Sequence, residues 1–170
     1  MIRLQAVDIG CEPSPSAPAE TLLADGENTY LLFFAVSKNV GKSGYLDDLG
    51  VAVLECQGSV ACKFDYPNDE GRPEHPLYNF GMSDLESSVL EVVDSTWAHE
   101  VAKQMHASAS RIWGGRGVDP SWSRDEVLRH FIVTSKEKTF ECLASALAID
   151  RYFQTFDQAI AYVIGRFNEN

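Results

Sequence analysis

Residues 29–38, TYLLFFAVSK, form a continuous apolar run rich in aromatic and β-branched side chains. The run is too short for an amphipathic helix and has no polar face, so it reads as a buried strand. A buried strand needs neighbours along its edges and cover over its face, which commits the chain to a layered sheet. Other segments extend that sheet. Residues 2–9 read as a short strand, and 49–67 (LGVAVLECQGSVACKFDYP) as a hairpin turning at Gln57-Gly58, where glycine supplies a positive φ. VLEVV within 87–97 reads as a strand, and 130–147 as a second hairpin around Lys136-Glu137-Lys138. In that hairpin Phe140, Cys142 and Ala144 share one face.

Helices account for two further stretches. Ser95 or Thr96 can cap a helix running through WAHEVAKQMHA. Thr155 can cap another, with Gln158 completing a capping box and Phe156, Ile160, Val163, Ile164 and Phe167 forming an apolar stripe. Loops are expected at 39–48 and at the turn-rich 114–123, and a Pro/Ser-rich loop or flexible arm at 11–20. The expected fold is α+β: one domain over 1–170, with a mainly antiparallel sheet of about five or six strands and two or three helices packed on it.

Net charge is −11, a surface that repels nucleic acid and anionic membranes and attracts basic partners. No apolar run reaches the roughly 18 residues that would span a bilayer. The opening MIRLQAVDIG lacks the apolar stretch of a signal peptide, so a cytoplasmic location is expected. Cys11, Cys56, Cys62 and Cys142 form no C-x-x-C pair, so free thiols are expected rather than a zinc or redox site.

The densest chemistry lies at 64–80, FDYPNDEGRPEHPLYNF. His75 with Asp69, Glu70 and Glu74 has the residue types of an acid/base or hard-metal site. Pro67, Pro73 and Pro76 equally make the segment a stiff contact loop, in which Asn68 or Asp69 closes an Asx-turn. Cys142 with His130 or His75 is the one nucleophile–base pairing that the sequence offers, although an apolar strand context favours packing for Cys142. NVGKSGY lacks the first glycine of a phosphate loop, since Val36 stands there. His99 and His106 are seven residues apart on one helical face, roughly 10 Å in rise, too far to share one metal.

FDYPNDEGRPEHPLYNFG, EVVDSTW and RHFIVTSKEKTFECLA together resemble a pattern found in small uncharacterised bacterial proteins. There a strand ends in a YPNDE and HPLY loop, a strand with an acid–Ser–Trp end follows, and a later hairpin carries an FEC(I/L)A strand. Tyr66, Pro67, Asn68, Asp69, Glu70, His75, Pro76, Leu77, Tyr78, Trp97, Phe140, Glu141 and Cys142 carry the match, over about residues 45–145. Where that pattern has a His-Asp pair at the hairpin turn, this chain has Lys136 and Glu137. The resemblance implies no activity.

The sequence favours a non-enzymatic protein-interaction module of immunity or adaptor type that binds a basic partner. Its contact residues would be Asp47, Asp48, Tyr66, Asp69, Glu70, Glu74 and Tyr78. The alternative is a small hydrolase or metal-dependent enzyme using His75 with Asp69 or Glu70. No cofactor is expected.

Overall fold

A computed structural model describes residues 1–26, 28–41, 44–112 and 128–169. Among these residues ten strands run in chain order: β1 Arg3–Ala6, β2 Glu12–Pro13, β3 Thr21–Ala24, β4 Thr29–Val40, β5 Leu46–Gln57, β6 Ala61–Asp65, β7 Val89–Val93, β8 Arg129–Thr134, β9 Thr139–Ala144 and β10 Ala146–Phe153. Two helices accompany them, α1 Thr96–Ile112 and α2 Phe156–Phe167, with three short 3-10 turns between β6 and β7. The architecture is sheet-dominated α+β.

The strands form two antiparallel sheets of five strands each, where one sheet was expected. The first has the order β1-β7-β8-β9-β6. The second has the order β10-β5-β4-β2, with β3 beside β2 on the same edge of β4. The sheets pack face to face. Leu31, Phe33, Ala35, Ala52, Leu54 and Cys56 of the second sheet meet Val89, Phe131, Val133, Phe140, Cys142 and Ala144 of the first.

The apolar run at 29–38 is explained by cover on both faces. Leu31 and Phe33 point into the space between the sheets, whereas Tyr30 and Leu32 point outwards under α2, where Ala159 and Val163 meet them. Burying each of these large side chains contributes roughly 1.5–3 kcal/mol. Helix α2 keeps its expected bounds. Thr155 is its N-cap, accepting from the Gln158 amide at 3.4 Å, while the Gln158 side chain accepts from the Gln154 amide at 3.2 Å. Of its expected stripe, Ile164 is exposed; the other members pack on the sheet.

Four local expectations change. The 49–67 segment is not a hairpin: β5 pairs with β4 and β10, β6 pairs with β9, and the turn at Gly58 (φ 61°) carries the chain from one sheet to the other. The reason is that β5 is apolar on both faces and fits the middle of the second sheet, while β6 is a largely exposed edge strand. The expected 39–48 loop is strand at both ends, over 39–40 and 46–48, because β4 and β5 make a long hairpin with Val40 opposite Leu46. Within 11–20, Glu12–Pro13 pairs with β4, and Cys11, Pro13 and Ser14 are buried. The Glu12 carboxylate accepts from the Ser88 amide and the Ser87 hydroxyl, tying this segment to the first sheet. Finally, the chain beyond β9 forms a further strand, β10, along β5. The loop expected at 114–123 lies outside the described residues.

The outer face of the first sheet has different cover. Leu90, Val92 and Ile132 lie beneath Met82, Leu77, Tyr78 and Leu85, which the segment between β6 and β7 supplies. The start of α1 closes the rest, with Ala98 and Ala102 buried.

Candidate active site

Period-two alternation sets the site on that outer face. On β8, Phe131 and Val133 enter the inter-sheet core, so His130 and Ile132 point the other way. On β9, Phe140 and Cys142 enter the core, so Glu141 points outwards with them. The register places Glu141 opposite Ile132 and opposite Lys63 of β6. His130 and Glu141 are therefore diagonal neighbours within one hairpin, and the His130 Nε2–Glu141 Oε2 distance is 2.8 Å.

Two loops deliver the remaining groups. After β7 the chain turns at Asp94 (φ 57°), a left-handed conformation that Asp tolerates better than most residues, and enters α1 through Ser95. Ser95 caps the helix: its Oγ accepts from the Ala98 amide at 3.2 Å and its carbonyl accepts from the His99 amide at 3.1 Å. The same Oγ lies 2.9 Å from His130 Nδ1. His75 comes from the 66–86 segment, which Arg72 holds by donating to the carbonyls of Met82, Leu85 and Ser87. The Asn68 side chain closes a turn onto the Gly71 amide, and the Thr139 hydroxyl donates to the Pro67 carbonyl. His75 Nδ1 accepts from the Leu77 amide, and its Nε2 stands 3.7 Å from Glu141 Oε1.

The proton positions follow from these partners. Burial raises the Glu141 carboxyl, but hydrogen bonds from His130 and His75, with the nearby charge of Lys63, outweigh it and hold the group well below the usual carboxylate range. Glu141 is thus ionised and only accepts. His130 must then donate from Nε2, which in the neutral ring leaves Nδ1 as an acceptor facing Ser95. His75 accepts at Nδ1, so its proton is on Nε2 and points to the same carboxylate. The result is a directed chain, Ser95 O–H to His130 and His130 N–H to Glu141, with His75 bracing the far carboxylate oxygen. Ser95, His75 and His130 are all buried, at 5%, 6% and 4% exposure.

The chain opens onto a cavity of about 170 Å³ walled by Ile2, Pro76, Leu77, Val92 and Trp97. The Trp97 ring stands edge-on to the His130 imidazole, with centroids 5.0 Å apart. Lys63 lies at the margin, its Nζ 3.9 Å from the Trp97 ring centroid and 3.8 Å from Glu141 Oε1. Helix geometry leaves the Thr96 and Trp97 amides, in the first turn of α1, without intrahelical acceptors beside Ser95.

Of the residues singled out in the sequence, His75 belongs to this cluster, but with Glu141 and His130 rather than with Asp69 or Glu70. Those two acids pair with Lys136, at 3.6 and 2.9 Å. Cys142 lies on the opposite face of β9 from Glu141, and Cys56 contacts it between the sheets. Glu74 pairs with the exposed Tyr66, and Tyr78, which begins the second 3-10 turn, packs on the outer face of the first sheet. Asp47 and Asp48 are exposed on β5, where Asp48 accepts from the Gly50 amide. Among the described residues, no group of three His, Cys, Asp or Glu side chains is arranged to hold a metal ion.

Ser95 and Glu141 were missed as chemistry. The signal was present, in two polar residues, His130 and Glu141, interrupting apolar strands at positions that a hairpin register places on one face. No family model matches the chain, and neither a curated protein nor a solved structure does.

Proposed function

We propose that the chain is a small serine hydrolase working by acyl transfer at Ser95. The observation that carries this reading is the nucleophile–base–carboxylate order, with Ser95 Oγ 2.9 Å from His130 Nδ1 and His130 Nε2 2.8 Å from Glu141, at the wall of a cavity. His130 takes the Ser95 proton as Oγ attacks a carbonyl carbon, and Glu141 stabilises the imidazolium that forms. The Thr96 and Trp97 amides, at the positive end of α1, suit the developing oxyanion. The leaving group departs with the proton from Nδ1, and water then releases the acid by the reverse transfer. Ester turnover by the protein and by Ser95→Ala and His130→Ala variants tests the reading. Each variant should lose at least about 10³-fold in kcat, and the double variant little more, as groups acting in one step do. Turnover indifferent to Ser95 would remove the proposal.

A second reading, the acidic interaction module, draws on the tip of the β4–β5 hairpin. There Val40 and Leu46, opposite one another, are 64% and 40% exposed beside the exposed Asp47 and Asp48. It requires a basic partner that is released both by rising salt and by an Asp47→Asn/Asp48→Asn variant. Retention insensitive to both would count against it.

A further inference from the structure

Lys63 takes no part in the steps at Ser95, yet it lines the same cavity and is the one Lys or Arg that does so among the described residues. It leaves the edge strand β6 on the face that carries Glu141, its cross-strand neighbour. The Trp97 ring holds the ammonium, with Nζ 3.9 Å from the ring centroid. Glu141 Oε1 is 3.8 Å from Nζ, beyond hydrogen-bond reach, and the two Glu141 oxygens already face His130 and His75. An ammonium carries three N–H donors, and no hydrogen bond to a described residue takes any of them. Beside it the cavity wall is apolar, made by Ile2, Pro76, Leu77, Val92 and Trp97.

Resting on the hydrolase reading of Ser95, we infer that Lys63 determines specificity, and that the substrate is a small ester or thioester carrying one carboxylate, which this ammonium binds while the apolar wall takes the rest. A single ammonium is a compact point charge and matches a singly charged group. A phosphoryl group, with up to two charges and three acceptor oxygens, is better met by a cluster of cations, and Lys63 has no second cation beside it on this wall. The net charge of −11 repels an anion at long range, but at physiological salt that field is screened beyond roughly 8 Å, so the contact at Lys63 decides.

The test compares matched esters that differ in charge. One pair is meta-acetoxybenzoate and its methyl ester, with the carboxylate on the leaving group; the other is monophenyl adipate and its methyl ester, with the carboxylate on the acyl group. Ser95→Ala is the blank. Lys63→Met is the probe, since Met keeps an unbranched stem against Trp97 without the charge. In the native protein kcat/KM should favour the charged member of at least one pair by about fivefold or more. Lys63→Met should remove most of that preference by raising KM for the charged ester, with its kcat within about twofold, because the contact is the same in the bound ester and the transition state. Lys103→Met takes the same charge from an exposed position on α1 that does not line the cavity, and should keep the preference. If Lys63 only supports Glu141 and Trp97, Lys63→Met slows charged and neutral esters alike. That result, or a native protein with no preference in either pair, would overturn the inference and leave the hydrolase reading standing. If Lys63→Met does not fold, the native preference decides alone. Absence of Ser95-dependent turnover on all the esters would remove both.

Discussion

Replacing Glu141 with Gln keeps the shape of the side chain and removes its charge, so it probes how the site is held. In the native protein one oxygen accepts from His130 at 2.8 Å and the other faces His75 at 3.7 Å. The amide can still accept from His130, but it turns an NH₂ group towards the His75 N–H, so two donors oppose one another. Hydrogen bonds to charged groups contribute about 1.5–3 kcal/mol each. With the bond to His130 weakened, the 3.7 Å contact to His75 turned unfavourable, and the carboxylate only 16% exposed, the expected loss is about 2–3 kcal/mol at pH 7. In a chain of 170 residues that lowers Tm by roughly 5–10 °C.

The pH dependence has a definite sign. Glu141 has its folded-state pKa depressed below the unfolded value of about 4.3, so its stabilisation is fully present above that value and is lost as pH falls towards the folded pKa. The gap between native protein and Glu141→Gln should be open at pH 7 and pH 5 and narrow progressively below about pH 4. Urea unfolding at pH 7, 5 and 3.5 measures it. Equal midpoints at pH 7, or a gap that widens in acid, would refute the reasoning.

Other perturbations separate packing from chemistry. His75→Ala removes two partners from a buried ring and should cost about 1–3 kcal/mol in urea unfolding, while ester turnover falls less than in His130→Ala. Phe33→Ala, at the centre of the inter-sheet core, should cost about 3–5 kcal/mol, and a loss under 1 kcal/mol would mean that the sheets do not pack there. In native protein Cys62 should react with iodoacetamide, whereas Cys11, Cys56 and Cys142 react only after unfolding. Burial raises the Cys62 thiol, so its rate should still be climbing above pH 9, as peptide mapping over a pH series would record.

Local pattern was readable wherever local physics decided the outcome. Helix α2 carries its cap, its capping partner and its stripe within fifteen residues, and β4 announces two-sided burial by having no polar face. The β8–β9 hairpin was likewise visible because its strands are adjacent in sequence. The partition into two sheets was not. The Gln57-Gly58 turn serves a hairpin and a sheet-to-sheet crossing equally well, and what decides is that β5 is apolar on both faces, one covered by α2 and the other by the first sheet, from distant parts of the chain. The site failed for a similar reason. The acids nearest His75 in sequence, Asp69 and Glu70, turn to Lys136, while its actual partner is 66 positions away on β9. Ser95 read as a helix cap and is one; only the fold brings His130 against the same oxygen.

Covalent labelling at Ser95 tests the proposed chemistry most directly. A fluorophosphonate reacts with a serine hydroxyl only when a base has activated it. Incubation with such a probe, followed by intact mass and peptide mapping, should show one adduct on the peptide carrying Asp94-Ser95-Thr96, lost in Ser95→Ala and strongly slowed in His130→Ala. A native protein that remains unlabelled, or that labels equally well without His130, would contradict the assignment of Ser95 as an activated nucleophile.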